Sequence, residues 1–409
     1  MEPIKLFDKE RIVIKGEIMK KYAYNEITLM QYIILINGVQ VGTGVLSLPR
    51  VLAEKAGTDG WIAILIGWIF STISGVFIVK TAARYPEDTI YDILIRLFGK
   101  IVGKAFVVIY MMYFAFYSCI VLINAMLYLK GWLLPKTPDY IVIFLFSIPT
   151  YFVARNGPSI LGRYAELFFY MALWIPIFFL IPLIGNGSWM PFFPLLKEGW
   201  KPILTAVPST VYAYLGFDIA FFLYPFLQKK QYAVHGMVIA NTLTMLFYLF
   251  ATIVCFAYFS PDSITQYNQP VINLLKVIEF RFLERFYMIL LAVYLTIVST
   301  SWIPALYCSV FCSSQLLGKQ NHSSHVVVLL LLIIGFTFWT HPSWNESEIW
   351  QQVLSNTGLG VTYIYLLFYG CIAVYMRSFA GGEYIEKKST MLYFVIGVLD
   401  DWMLRSKKC

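Results

Sequence analysis

The sequence predicts an all-α polytopic membrane protein whose ten transmembrane helices divide into two inverted repeats of five. Three observations support this fold class. First, 59% of the 409 residues are apolar and 13% are charged, with a mean hydropathy of +0.70, whereas an average soluble domain carries about 25% charged residues. Second, ten mainly apolar stretches follow one another between charged or turn-forming clusters. Third, glycines interrupt the stretch that begins each half, as in membrane proteins built from inverted repeats.

The predicted spans fill most of the chain. They cover residues 28–48, 61–83, 105–129, 140–153, 164–184, 203–227, 232–259, 286–317, 326–340 and 359–376, and we number them one to ten. We therefore predict a cytoplasmic N-terminal segment over 1–27, a transmembrane domain over 28–377 and a cytoplasmic tail over 378–409. Within the transmembrane domain, residues 28–184 form the first repeat and residues 203–377 form the second.

Lys and Arg are distributed unequally between alternate connections. With both termini on one side, 22 of the 31 basic residues lie on that side. Because cytoplasmic loops retain positive charge, this distribution predicts that both termini are cytoplasmic. The net charge of +8 is then explained by topology and anionic lipid, so we expect the bilayer and not nucleic acid as the partner of this charge.

Spans one and six contain helix-breaking residues at membrane depth. Span one carries Gly38, Gly42 and Gly44, and span six carries Gly216 beside Asp218. Backbone groups freed in lipid must face protein or a wet cavity. Because half-helix N-termini suit a carboxylate and half-helix C-termini suit an ammonium or a metal cation, two such breaks together predict a site for a zwitterionic amino acid. The alternative is that the small residues only allow close helix packing.

Two elements and the ten-span layout carry a family resemblance. The elements read Gly42-Thr43-Gly44-x-x-x-x-Pro49 in span one and Tyr212-x-Tyr214-x-Gly216-Phe217-Asp218 in span six. Together they resemble the amino acid/polyamine/organocation (APC) superfamily. The ending Leu223-Tyr224-Pro225-Phe226 of span six resembles the spore-germination branch of that superfamily, the GerAB-type B subunits of endospore nutrient receptors. The resemblance extends over almost all of residues 28–377.

The resemblance implies a LeuT-like fold and a role in sporulating bacteria. A B-type receptor subunit would bind an amino acid or similar small germinant and signal to an A-type subunit and a lipoprotein C-type subunit in the spore inner membrane. Two alternatives stay open. One is a proton- or sodium-coupled amino-acid symporter of the same superfamily, and the other is a scaffold of the receptor that binds no ligand.

The candidate ligand-binding residues lie on three spans. They are Val41, Gly42, Thr43 and Gly44 on span one, Tyr113 and Tyr117 on span three, and Tyr214, Leu215, Gly216, Phe217 and Asp218 on span six. Asp218 is an acidic residue well inside a span, which marks a functional site by default. Proton binding, pairing with an ammonium and bracing of the break are all open roles for it. The two tyrosines share a helix face, where packing is the alternative role.

Ser299 and Thr300 on span eight are secondary candidates for a sodium site, by analogy with sodium-coupled relatives. Adjacent hydroxyls do not share one helix face, and bonding back to their own helix is the commoner role. The sequence contains no nucleophile-and-base arrangement, phosphate-binding loop or zinc motif. We therefore expect no enzyme activity and no cofactor.

Overall fold

The computed structural model describes residues 13–14, 17–18, 25–278, 281, 285–318 and 322–360. Most of the predicted N-terminal segment, most of predicted span ten and the whole of the predicted tail lie outside these residues. The described part is helical except for loops and one antiparallel pair of two-residue strands, β1 (Val13–Ile14) and β2 (Glu17–Ile18).

Every predicted span coincides with helix among the described residues, but the helix of span three begins early, at Ile90, and span five is divided among three helices. The helices are α1 (Leu29–Gln40), α2 (Leu48–Ala56), α3 (Gly60–Ala82), α4 (Ile90–Trp132), α5 (Asp139–Ala154), α6 (Pro158–Ala172), α7 (Ile175–Leu180), α8 (Leu183–Asn186), α9 (Trp200–Ala213), α10 (Ile219–Leu223), α11 (Ala233–Tyr258), α12 (Pro261–Thr265), α13 (Pro270–Lys276), α14 (Phe286–Leu317), α15 (His322–Thr340) and α16 (344–360). Six helical stretches among the described residues are long and apolar enough to cross a membrane. Spans one and six are divided between shorter helices because each is broken, as predicted.

The helix assigned to span ten begins earlier than the predicted boundary at residue 359. Helix α16 starts at residue 344, where Trp344 packs edge-on against Tyr128 at 5.0 Å between ring centroids. Its first turns are rich in polar residues, and the Ser347 hydroxyl donates to the Asn124 side-chain oxygen at 2.5 Å. On the face toward span three Ser347 is buried and Gln351 also donates to Asn124, whereas Asn345, Glu346 and Glu348 are exposed, so the polar first turns give no hydropathy signal for a helix.

Span one lies at the centre of the bundle. Tyr32, Leu35 and Ile36 are fully buried, and α1 packs against α6, α11 and α14. Large apolar side chains on outer helices are exposed instead, such as Phe152 on α5 and Leu331 on α15. An apolar exterior around a buried, partly polar centre is the arrangement expected of a chain in lipid.

The two broken spans meet at one end of the bundle. The Ile27 N–H donates to the Phe226 carbonyl oxygen at 2.8 Å, and the Gln228 N–H donates to the Ile27 carbonyl oxygen at 3.1 Å. This parallel pairing joins the start of span one to the end of span six. This pairing fixes span one beside span six, so that the breaks of the two spans lie next to each other further inside the bundle.

Candidate functional site

The break in span one is an extended step between two helical segments. Helix α1 ends at Gln40, Val41 and Gly42 adopt non-helical dihedral angles, and a 3₁₀ turn resumes at Thr43–Leu46 before α2. A Cβ atom on Gly42 would lie 3.3 Å from the Ser301 hydroxyl oxygen, whereas one on Gly44 would meet nothing within 4 Å. Gly42 therefore permits close packing on span eight, and Gly44 faces open space.

The break in span six depends on Gly216. Helix α9 ends at Ala213 and α10 begins at Ile219, and between them Gly216 has a φ of +110°. That backbone conformation favours glycine. A Cβ atom at this position would also lie 2.6 Å from Val39 Cγ1. Gly216 thus permits both the turn and the close approach of span six to span one.

Side chains of neighbouring spans take up the carbonyl groups that the breaks release. In the first break, the Val39 carbonyl accepts from the Tyr117 and Ser301 hydroxyls at 2.7 and 2.9 Å. The Gln40 and Gly42 carbonyls accept from the Tyr248 and Tyr294 hydroxyls, each at 2.7 Å. In the second break, the Ala213 carbonyl accepts from the Tyr248 hydroxyl at 2.9 Å and the Tyr214 carbonyl accepts from Gln40 Nε2 at 3.0 Å. Buried carbonyls without such partners are costly. The breaks are therefore built into the surrounding structure.

A polar network behind the breaks was not predicted. Gln40 Nε2 donates to Asn241 Oδ1 at 2.7 Å, the Thr244 hydroxyl donates to Gln40 Oε1 at 2.7 Å, and Asn37 Nδ2 donates to the Thr244 hydroxyl at 2.9 Å. On span one and on span seven these polar residues are three positions apart, so each pair shares a helix face. That spacing within apolar spans was the available signal.

A small cavity, which we call the central cavity, lies between the two breaks. Its volume is about 40 Å³, and its walls come from spans one, three, six and seven and from α16. The lining residues are Gln40, Gly42, Thr43, Gly44, Tyr117, Ile120, Val121, Asn124, Tyr212, Ala213, Leu215, Tyr248 and Leu354. At about 30 Å³ for each water-sized group, a volume of this size holds roughly one such group.

Of the eleven candidate residues, the structure brings Gly42, Thr43, Gly44, Tyr117 and Leu215 together around the central cavity. The others lie elsewhere. Val41 lines a second cavity, and Gly216 packs on span one. Tyr214 and Phe217 are buried, and the Tyr214 hydroxyl donates to the Ile64 carbonyl at 3.3 Å. Tyr113 and Asp218 lie next to each other. Gln40, Asn124, Tyr212, Tyr248 and Leu354 are lining residues that were not among the candidates.

Asp218 is buried at the start of α10, with 5% of its surface exposed. Its carboxylate lies beside the Tyr113 hydroxyl and the first backbone amides of α10. Neither carboxylate oxygen makes a hydrogen bond of normal geometry within the described residues. Burial makes an ionised carboxylate costly here, and the neighbouring amides and the Tyr113 hydroxyl offset only part of that cost. Asp218 does not line the central cavity.

The two sodium candidates donate to their own helix. The Ser299 hydroxyl donates to the Thr296 carbonyl, and the Thr300 hydroxyl donates to the Ile297 carbonyl at 2.7 Å. Ser301, the third hydroxyl of the triplet, is the one that reaches the span-one break. Among the described residues, no three His, Cys, Asp or Glu side chains are grouped to hold a metal ion.

Comparison with known sequences yields relatives of one kind. A family model described as spore germination protein matches residues 26–346. Spore germination protein YndE of Bacillus subtilis (strain 168) is 26% identical over 355 residues, which cover 86% of this chain and 95% of that protein. Spore germination protein GerQB of Bacillus cereus is 22% identical over 334 residues, which cover 81% and 91%.

Solved structures of low sequence identity share the fold. MhsT in complex with L-phenylalanine superposes with a TM-score of 0.64 at 14% identity, covering 83% of this chain and 88% of that one. A Na⁺-coupled sialic acid symporter superposes with a TM-score of 0.64 at 11% identity, covering 85% and 79%. These similarities confirm the predicted LeuT-like fold class.

The sequence and structure comparisons agree with the resemblance drawn from the two broken spans. The family consists of membrane proteins of a receptor or permease type and is not a class of enzymes. The match to its model spans well over half of the chain, and both broken spans lie within it. The chain therefore belongs to the spore germination protein family.

Proposed function

We propose that this chain is the B-type subunit of a spore nutrient receptor and that it binds a small germinant, such as an amino acid, in the central cavity. The observation that carries the proposal is the convergence of both breaks on one cavity. Gly42, Thr43 and Gly44 come from the first break, and Ala213 and Leu215 come from the second. A ligand held there touches both broken helices, so its binding depends on their relative position.

The lining groups fit a small zwitterion. The amides of the first turn after Gly42 have no acceptor within their own helix, so they suit a carboxylate. Carbonyl groups of the breaks are already bonded to Tyr117 and Tyr248, so an ammonium would exchange with those hydroxyls. The volume of about 40 Å³ is smaller than a free amino acid, so binding would require the two breaks to move apart.

We place Tyr113 and Asp218 in a second layer behind the cavity wall. They lie next to each other where span three meets the start of α10, close to the second break. Asn124 connects the cavity to α16, because its side-chain oxygen accepts from Ser347 and from Gln351. Binding in the cavity would therefore alter contacts on spans three, six and ten together.

Such binding would act by population shift. A ligand that prefers one of two conformations moves the balance toward it by its differential affinity. A dissociation constant between about 1 µM and 1 mM corresponds to about 4 to 8 kcal/mol, enough to bias a gap of a few kcal/mol. The change would pass to an A-type and a lipoprotein C-type subunit in the spore inner membrane, with both termini cytoplasmic.

Gly44→Leu tests the proposal, because Gly44 lines the central cavity and a Cβ added there meets nothing within 4 Å, so the rest of the side chain would fill the cavity. We expect spores carrying this variant to lose the nutrient response while the protein remains at its normal level in the membrane. Gly335→Leu on α15 is the matched control, since a Cβ there also meets nothing within 4 Å and the site lies outside the cavity. A normal response from Gly44→Leu spores would refute ligand binding in the central cavity.

Purified protein in liposomes separates the receptor from a symporter. If the chain is a receptor subunit, we expect a nutrient to raise the melting temperature of the unmutated protein but not that of the Gly44→Leu variant. We also expect no concentrative uptake of the nutrient under a proton or sodium gradient. Gradient-driven uptake would establish transport instead.

A further inference from the structure

A second cavity lies on the opposite side of span one, bounded by spans one, five, seven and eight and by α13. We call it the lateral cavity, and its volume is about 290 Å³. Its walls are aliphatic and aromatic almost throughout. The polar groups of Asn37, Thr300 and Tyr294 bond to Thr244, Ile297 and Gly42 at 2.9, 2.7 and 2.7 Å, so they are already partnered by protein.

The lateral cavity opens between spans five and seven. Leu173 and Leu246 both line it, and 57% and 52% of their surfaces are exposed. Leu246 lies near the middle of the 26-residue helix α11, about 20 Å from its start at 1.5 Å per residue. The opening is therefore at the depth of the hydrocarbon core, which is about 30 Å thick.

We propose that the lateral cavity holds an acyl chain of a membrane phospholipid. At this depth the surrounding medium consists of acyl chains, and an apolar wall gives polar solutes no partner. A zwitterionic amino acid is excluded on the same ground. The volume matches roughly ten groups the size of a water molecule or a methylene, at about 30 Å³ each, which is most of one chain.

The inner end of the lateral cavity reaches the break in span one. Gly38 and Val41 line it there, directly before and within the non-helical step. The central cavity touches the same step through Gly42 and Gly44. A bound acyl chain thus supports the break from the side that the germinant does not occupy, and its binding does not depend on the proposed germinant function.

Photolabelling of the full chain in phospholipid nanodiscs tests this assignment. The probe is a phosphatidylglycerol with a diazirine near the end of one acyl chain, and adducts are mapped by mass spectrometry. Leu290 and Leu306 are matched reporters on α14, because 1% and 0% of their surfaces are exposed and Leu290 alone of the two lines the lateral cavity. We expect about tenfold more adduct on Leu290, since a close-packed interior admits no chain.

Substitutions at the opening provide the second measurement. Leu246→Trp and Leu173→Trp narrow the entrance at half-exposed positions, and we expect each to lower the Leu290 adduct about fivefold by steric exclusion. Leu331→Trp on α15 is the control, because 61% of its surface is exposed outside the cavity, and it should leave the adduct unchanged. Equal labelling of Leu290 and Leu306, or labelling that neither entrance variant reduces, overturns the proposal.

Discussion

Gly216→Ala probes the contact that brings the two breaks together. The new Cβ would sit 2.6 Å from Val39 Cγ1 and 3.2 Å from the Val39 carbonyl carbon, on a backbone with a φ of +110°. The left-handed conformation costs a residue with a Cβ about 1–2 kcal/mol, and overpacking costs about 1–3 kcal/mol. We therefore expect the free energy of unfolding to fall by about 2–5 kcal/mol.

Equilibrium unfolding in mixed micelles of a mild detergent and dodecyl sulfate measures this free energy. In a Val39→Ala background the clash with Cγ1 is removed, whereas the backbone strain and the contacts with the Val39 carbonyl carbon and Cβ at 3.2 and 3.3 Å remain. Gly216→Ala should therefore cost at least about 1 kcal/mol less there. Gly335→Ala is the control, because its Cβ meets nothing within 4 Å. An equal cost of Gly216→Ala in both backgrounds would refute the close-approach argument.

Two further predictions follow from the hydrogen bonds of the site. Tyr248→Phe removes the donor to the Gln40 and Ala213 carbonyls, so the free energy of unfolding should fall by about 1–3 kcal/mol, whereas Tyr32→Phe should not lower it, because no described residue hydrogen-bonds the Tyr32 hydroxyl. Replacing Na⁺ by K⁺ should leave the melting temperature unchanged, since the Val39 carbonyl beside span eight already accepts hydrogen bonds from Tyr117 and Ser301; a sodium-specific rise would contradict this expectation.

The fold was predictable because its decisive features are local. Glycines and apolar runs specify which spans cross the membrane and where spans one and six break, and these signals need no knowledge of neighbours. The start of α16 was wrong in the prediction for the opposite reason. Its first turns are polar and largely exposed, and they are joined to the bundle by a hydrogen bond from Ser347 to Asn124, 223 residues earlier in the chain.

The site was only partly accessible from the sequence. A glycine can line a cavity or allow two helices to pack closely, and the residue type alone does not show which role it has. In this structure Gly44 faces open space, whereas Gly216 packs against Val39. The side chains that cap the broken backbone, such as Tyr248 and Ser301, lie on other spans. Their role depends on which helix faces they turn toward span one, which is a property of the packed bundle.

The pairing of Ile27 with Phe226 and Gln228 has a mechanical consequence. A tilt of α1 either carries the end of span six with it or ruptures two main-chain bonds, at a net cost of about 1–3 kcal/mol. These two hydrogen bonds thus couple a displacement of α1 to a displacement of the end of span six. A protein that contacts this end of the bundle would be displaced by both helices together.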